Sequence, residues 1–229
     1  MGQHILPGNP PVELNLKRSA RARRISLRVS GLDGRVTLTM PRGVSEREAL
    51  AFAREKAGWL RGHLEQRTPV TSVGIGSTLL VEGQPREVRQ ALGRGVKLTD
   101  EAVHVAGDPD TAGRRLAAWL KALARDRLAG ESDRYAAALG RRYSRLTLRD
   151  TRSRWGSCTA DGGLMYSWRL ILAPPEVLSY VAAHEVAHLE EMNHSPDFWA
   201  AVDRIHGPYK PQRKWLRDNG ATLHAYRFD

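Results

Sequence analysis

The sequence predicts an α+β chain with a β-rich N-terminal half and a mostly helical C-terminal half. Three observations carry that expectation. Apolar and polar residues alternate with period two over 24–40 and again in short runs between 77 and 105. From about residue 111 the apolar residues recur instead at helical spacing, over 111–139 and again from Pro175 onward. Glycine and proline, 21 and 12 in 229 residues, punctuate these runs without dominating them, which excludes collagen-like and low-complexity architectures.

Taken in order, a lead-in with Pro7, Pro10 and Pro11 spans residues 1–15 and is expected to be flexible. Residues 16–229 read as one domain, with a β-rich lobe over 16–107 and a second lobe over 108–229. In 24–40, Ile25, Leu27 and Val29 alternate with Arg24, Ser26 and Arg28. After a turn at Gly31 to Gly34, Val36, Leu38 and Met40 complete a hairpin with one apolar and one basic face. Ser45 with Glu48 three residues on is a capping box, opening a helix to about Arg67 on Leu50, Ala53, Ala57, Leu60 and Leu64. Four short strands are expected between 77 and 105, and Gly74-Ile75-Gly76 reads as a turn, because a dinucleotide site needs a third glycine and a helix after it.

One long helix, or two broken near Gly130, covers 111–139, with Gly140 as its stop. Strands follow at Leu146 to Arg149 and Gly163 to Leu172. Helices are expected at Pro175 to Glu191, Pro196 to Ile205 and Pro211 to Asn219, each opened by a proline in its first turn.

Charge narrows the partners. The chain carries 36 Lys and Arg against 25 Asp and Glu, a formal net charge of +11. Residues 1–70 hold 13 basic and 6 acidic side chains, 71–180 hold 17 and 12, and 181–229 hold 6 and 7. An anionic partner would therefore meet the N-terminal two-thirds. Lys17, Arg18, Arg21, Arg23, Arg24 and Arg28 fall in twelve residues without an acid, so Arg21, Arg23 and Arg24 are candidates for nucleic-acid binding. A solvated sheet face explains the same run, since no base-reading motif accompanies it. No stretch approaches the about 18 apolar residues of a membrane span, and the first 24 residues lack the apolar run of a secretory leader. A single cysteine, Cys158, forms no intrachain disulfide and suits the reducing cytoplasm.

The chemistry concentrates in His184-Glu185-Val186-Ala187-His188. Histidines four apart share a helix face and can bind one metal, while Glu185, one position round, can serve as general base. Zinc suits imidazole nitrogens, and a catalytic site takes three protein ligands and leaves a position open. Such a motif can also be a solvated helix face. Against that, Val177, Leu178, Val181, Ala182 and Ala183 make the helix look buried, and buried Glu and His need partners.

His194, six residues after His188, is a candidate third ligand if the chain turns back at Asn193 in a left-handed conformation. Its H-x3-H-x5-H spacing is that of the metzincins, with Glu191 where their motif has glycine. Asp203 is the rival ligand, as in the gluzincins. Cys158 reads as a packed residue, Glu190 and Glu191 as supporting or solvated acids, and Phe198 and Trp199 as packing against the active-site helix.

The ordered motifs Arg154-Trp155-Gly156-Ser157-Cys158, Trp168-Arg169-Leu170, Ala173-Pro174, Tyr180-Val181, His184 to Leu189, Asn193-His194-Ser195 and Phe198-Trp199 resemble the YgjP-like family of metal-dependent hydrolases. These are zincin-type metallopeptidases related to the SprT and WLM groups. The likeness is strongest over 152–199. It implies a zincin-like core within the 108–229 lobe, one zinc ion per chain on His184, His188 and His194, Glu185 as the catalytic acid and base, and a polypeptide substrate. An oxyanion needs a further electrophile, for which Arg152, Arg154 and Tyr209 are candidates. Two alternatives stay open: a metal-dependent nucleotide phosphoanhydride hydrolase (pyrophosphatase), and a nucleic-acid-associated protein with a structural metal.

Overall fold

A computed structural model describes residues 2–30, 34–65 and 69–229. The chain divides into two compact units, 1–69 and 70–229. In the first, β1 (Gly2–Leu6), β2 (Val12–Ser19), β3 (Ser26–Val29) and β4 (Val36–Pro41) form one sheet in the order β1-β2-β4-β3. The hairpin expected over 24–40 is present as the antiparallel β3/β4 pair, and its turn residues 31–33 lie outside the described residues. The lead-in is a correction: residues 2–6 and 12–15 are hydrogen-bonded strand, with β2 running parallel to β4. Leu6, Val12, Leu14 and Leu16 are buried in this sheet's core, which is the free energy that holds the segment down.

Helix α1 (Glu46–Glu55) starts as expected, with the Ser45 hydroxyl accepting from the Glu48 amide at 3.2 Å. The single helix foreseen here is two, because the chain breaks at Lys56 before α2 (Ala57–Glu65). Ala49, Leu50, Ala53 and Leu60 close the core of this unit. The expected end at Arg67 lies outside the described residues.

The second unit begins with β5 (Thr71–Ser72), followed by β6 (Thr78–Val81), β7 (Gln84–Ala91), β8 (Val96–Leu98) and β9 (Ala102–Ala106). The last four form a sheet in the order β6-β7-β9-β8. Gly74 to Ser77 is the turn expected, closed by Ser77 N donating to Gly74 O at 3.1 Å. Helix α3 (Ala112–Leu139) is continuous through Gly130 and ends at Gly140, whose φ of 64° is the left-handed conformation that suits glycine. Leu116, Leu120, Ala124, Leu128 and Ser132, four apart, form its buried stripe, and the Ser132 and Tyr166 hydroxyls hydrogen-bond at 3.0 Å.

Strands β10 (Arg145–Arg149), β11 (Gly156–Cys158) and β12 (Gly163–Ser167) form a three-stranded sheet in the order β10-β12-β11. The strand expected to run to Leu172 stops at Ser167. Residues Trp168–Leu172 form a 3-10 turn, all buried, so an apolar run without alternation was the ambiguous signal.

Arg169 in that turn is itself buried. It makes a two-pronged ion pair with Asp150 at 2.7 and 3.1 Å and donates to the carbonyls of Leu223 and Tyr226 at 3.0 and 3.1 Å. Helices α4 (Pro175–Ala187), α5 (Pro196–His206) and α6 (Lys210–Asn219) follow, and β13 (Tyr226–Arg227) pairs with β5. The arrangement is the α+β one expected. No helix among the described residues is long and apolar enough to cross a membrane.

Candidate active site

The α4 helix is apolar nearly all round, with Val177, Leu178, Val181, Ala182, Ala183, Val186 and Ala187 buried, so it runs through the core. Glu185 and His188 are carried in with it, at 5% and 8% exposure. The helix ends four residues earlier than expected, at Ala187 with His188 as its cap. Glu191 N then donates to Ala187 O at 3.0 Å. Asn193 is not left-handed; among the described residues Glu82 is the only non-glycine with positive φ. The chain is turned instead by side-chain hydrogen bonds: Asn193 Oδ1 accepts from Ser195 N at 2.9 Å, and Ser195 Oγ caps α5 through Phe198 N at 3.3 Å.

This turn brings His194 to the helix pair. One ring nitrogen from each of His184, His188 and His194 lies within 4.8 Å of the others, a group that could hold a metal ion. His184 Nε2 and His194 Nε2 are 3.1 Å apart. Two nitrogens bound tetrahedrally to one zinc at about 2.0–2.1 Å sit roughly 3.4 Å from each other, so this spacing fits the ion. His188 Nδ1 lies 2.9 Å from the Glu191 carbonyl, which can only accept, so that nitrogen carries the proton and Nε2 keeps its lone pair. Burial, with the charges of His188, His194 and Arg213, pushes His184 down to about 3, and burial also lowers His188. Both rings are therefore neutral near pH 7, the form that ligates metal. Phe198, fully buried on α5, touches all three imidazoles, at ring distances of 4.9, 4.5 and 4.8 Å. Asp203 is exposed and is not part of the cluster.

Burial pushes the Glu185 carboxyl up to about 8, with the Arg154 charge opposing. Strand β11 lies against this carboxylate, because a Cβ at Gly156 would fall 2.6 Å from Glu185 Oε1. Cys158, two residues along, has its thiol pushed up to about 11 by burial and then by the charges of Glu185 and Asp161, so it is a packed thiol and no thiolate nucleophile. Glu190 pairs with Arg204 at 2.8 Å.

Of the expected electrophiles, Tyr209 stacks between Tyr180 and Trp199, at 6.0 and 5.0 Å, and both of those rings flank His184. Arg154 is exposed and reaches Glu185 electrostatically, whereas the charge of Arg152 acts on His224. Arg21, Arg23 and Arg24 belong to the first unit, exposed between β2 and β3. Sequence reasoning missed Gly156 and Arg213. The Arg213 guanidinium stacks on Trp199 at 4.6 Å, a contact for which no local pattern exists.

Comparison with known proteins gives three findings. Residues 23–219 match the family model described as YgjP-like, metallopeptidase domain. No curated protein matches the chain. A solved structure of the metallopeptidase zymogen of Pyrococcus abyssi, abylysin, is similar at 18% identity and a TM-score of 0.36, covering 41% of this chain and 92% of that one. With a match that spans most of its length and a three-histidine cluster within that span, the chain belongs to the YgjP-like metallopeptidase-domain family.

Proposed function

We propose that this protein is a zinc metallopeptidase in which His184, His188 and His194 hold the ion and Glu185 is the acid and base. The observation that carries the reading is the gathering of one ring nitrogen from each of three histidines within 4.8 Å of one another, on a helix that also buries Glu185. A zinc ion bound there would polarise the scissile carbonyl and acidify the attacking water. Glu185 takes the proton from that water as its oxygen attacks the carbonyl carbon, then delivers it to the leaving amine as the C–N bond breaks. Its position between α4 and β11 keeps bulk water from competing for the carboxylate. Tyr209 is the electrophile favoured for the oxyanion, since its ring packs on the two side chains that flank His184. The Arg154 charge partly offsets the burial that raises the Glu185 carboxyl to about 8. The cytoplasm is the compartment that suits the unpaired Cys158 thiol.

Metal analysis of the purified protein and a panel of quenched-fluorescent peptides and nucleoside triphosphates test this reading. One zinc per chain is expected, with peptide cleavage abolished by chelation. Glu185→Gln should keep the zinc and lose at least about 100-fold in kcat. A Glu185→Gln protein as active as the parent removes the mechanism, and cleavage of triphosphates alone replaces the substrate class.

A further inference from the structure

The sheet β10-β12-β11 has two unlike faces. Leu164 and Tyr166 are buried on one, and Gly156 on that side abuts Glu185. On the other, Arg145, Thr147 and Arg149 alternate outward along β10 and are exposed. There a trough of about 360 Å³ is lined by these three, by Ser153 and Arg154 from the connecting loop, and by Ser157 of β11. Asp161 neutralises Arg145 at 2.9 Å. Arg149 and Arg154 have no ion-pair partner among the described residues. Two guanidiniums without a salt-bridge partner, the charge of Arg154 also reaching Glu185, stand beside hydroxyls and make a positively charged, donor-rich site, the chemistry that recognises a carboxylate.

The trough is tied to the reaction centre by one strand. β11 pairs only with β12 among the described residues and so has an open edge. Gly156 faces Glu185, while the next residue, Ser157, lines the trough. An extended peptide added to an open strand edge sends successive side chains to opposite faces of the sheet. A residue beside the one that faces Glu185 would therefore point to the sheet face that carries Arg154 next to β11 and, across β12, Arg149. We propose that the trough is a substrate subsite for an acidic side chain, the carboxylate of an Asp or Glu in a peptide lying along β11. Its small volume admits one or two side chains, which favours a peptide carboxylate over a strand of nucleic acid.

This rests on the metallopeptidase reading and deepens it. The probe is a set of fluorescent peptides identical except for Glu, Gln or Lys scanned through each position. Their binding to zinc-loaded Glu185→Gln protein is measured by anisotropy, and their kcat/KM with the parent. At one position, Glu should be preferred to Gln by about tenfold at low salt, and the preference should shrink as salt screens it. Arg149→Gln should abolish the preference and Arg149→Glu should turn it toward Lys. Equal binding of Glu and Gln peptides at every position, or a preference that survives Arg149→Gln, overturns the subsite. Those results leave the peptidase reading intact, which fails separately if Glu185→Gln cleaves as fast as the parent.

Discussion

A Cβ built on Gly156 would lie 2.5 Å from Glu185 Cγ and 2.7 Å from its Cδ, closer than real Cβ atoms approach anything. The bare backbone of β11 is thus one wall of the slot that holds the Glu185 carboxylate. Gly156→Ala should push that carboxylate aside, costing about 1–3 kcal/mol as overpacking does. Thermal unfolding of metal-free protein checks the contact directly. The loss in Tm should appear in the parent and vanish in a Glu185→Ala background, where the three clashing atoms are gone. An equal loss in both backgrounds means that Gly156 answers to some other neighbour.

Of the three proposed ligands, His194 is the one most dependent on local structure, being exposed and positioned by the Asn193 and Ser195 hydrogen bonds of its turn. His194→Ala should weaken zinc affinity by at least about 100-fold in a competition titration with a chromogenic chelator. Ser195→Ala should weaken it less, roughly 10-fold, while also costing about 1 kcal/mol as a lost helix cap. A His194→Ala protein that holds zinc as tightly as the parent transfers the third position to another group, with Asp203 the first to be tried.

Arg169 joins its own turn to two segments distant in sequence, Asp150 before β11 and the carbonyls of Leu223 and Tyr226 near the C-terminus. Replacing it strands buried carbonyls as well as an acid. Arg169→Met should therefore destabilise the protein by roughly 2–4 kcal/mol in urea unfolding, and Arg169→Lys should recover little, because one ammonium cannot reproduce the guanidinium fork. Full stability of Arg169→Lys would show that charge alone is what matters there.

How much of this was legible beforehand follows from sequence distance. His184 and His188 share a helix turn, so their spacing alone predicts a common face, and His194 lies one short turn further. The Ser45 cap and the Gly140 stop are local too. Contacts across long stretches left no such mark. Gly156 meets Glu185 from 29 positions away. Tyr209 reaches the site by stacking on Tyr180 and Trp199, which no periodicity encodes. Residues 2–15 looked like a lead-in because prolines interrupt them, yet β1 pairs with β2 and β2 with β4, a non-local parallel pairing that only the folded sheet reveals.

The last relationship to test is the pH response around His224. Its ring stacks on Trp155 at 5.0 Å, and burial pushes its pKa down to about 4, with the charges of Arg169 and Arg152 acting the same way and Asp150 opposing. An unfolded histidine titrates near about 6.5. Between those values the unfolded chain binds a proton that the folded chain refuses, so stability is complete above about pH 6.5 and declines as pH falls toward 4. Asp150 adds to the same trend at lower pH. Burial raises its carboxyl, but the Arg169 hydrogen bond and charge outweigh that and leave it below the ordinary value, so its stabilisation is lost as pH falls through the carboxylate range. His224→Gln should keep the ring's stacking volume in part while removing its titration. The slope of unfolding free energy between pH 6.5 and 4 should flatten in this variant by comparison with the parent, whereas Asp150→Asn, which removes the charge that opposes the lowering of His224, should keep that slope and flatten the carboxylate limb. Parallel curves for His224→Gln and the parent would mean that the acid sensitivity arises elsewhere in the molecule.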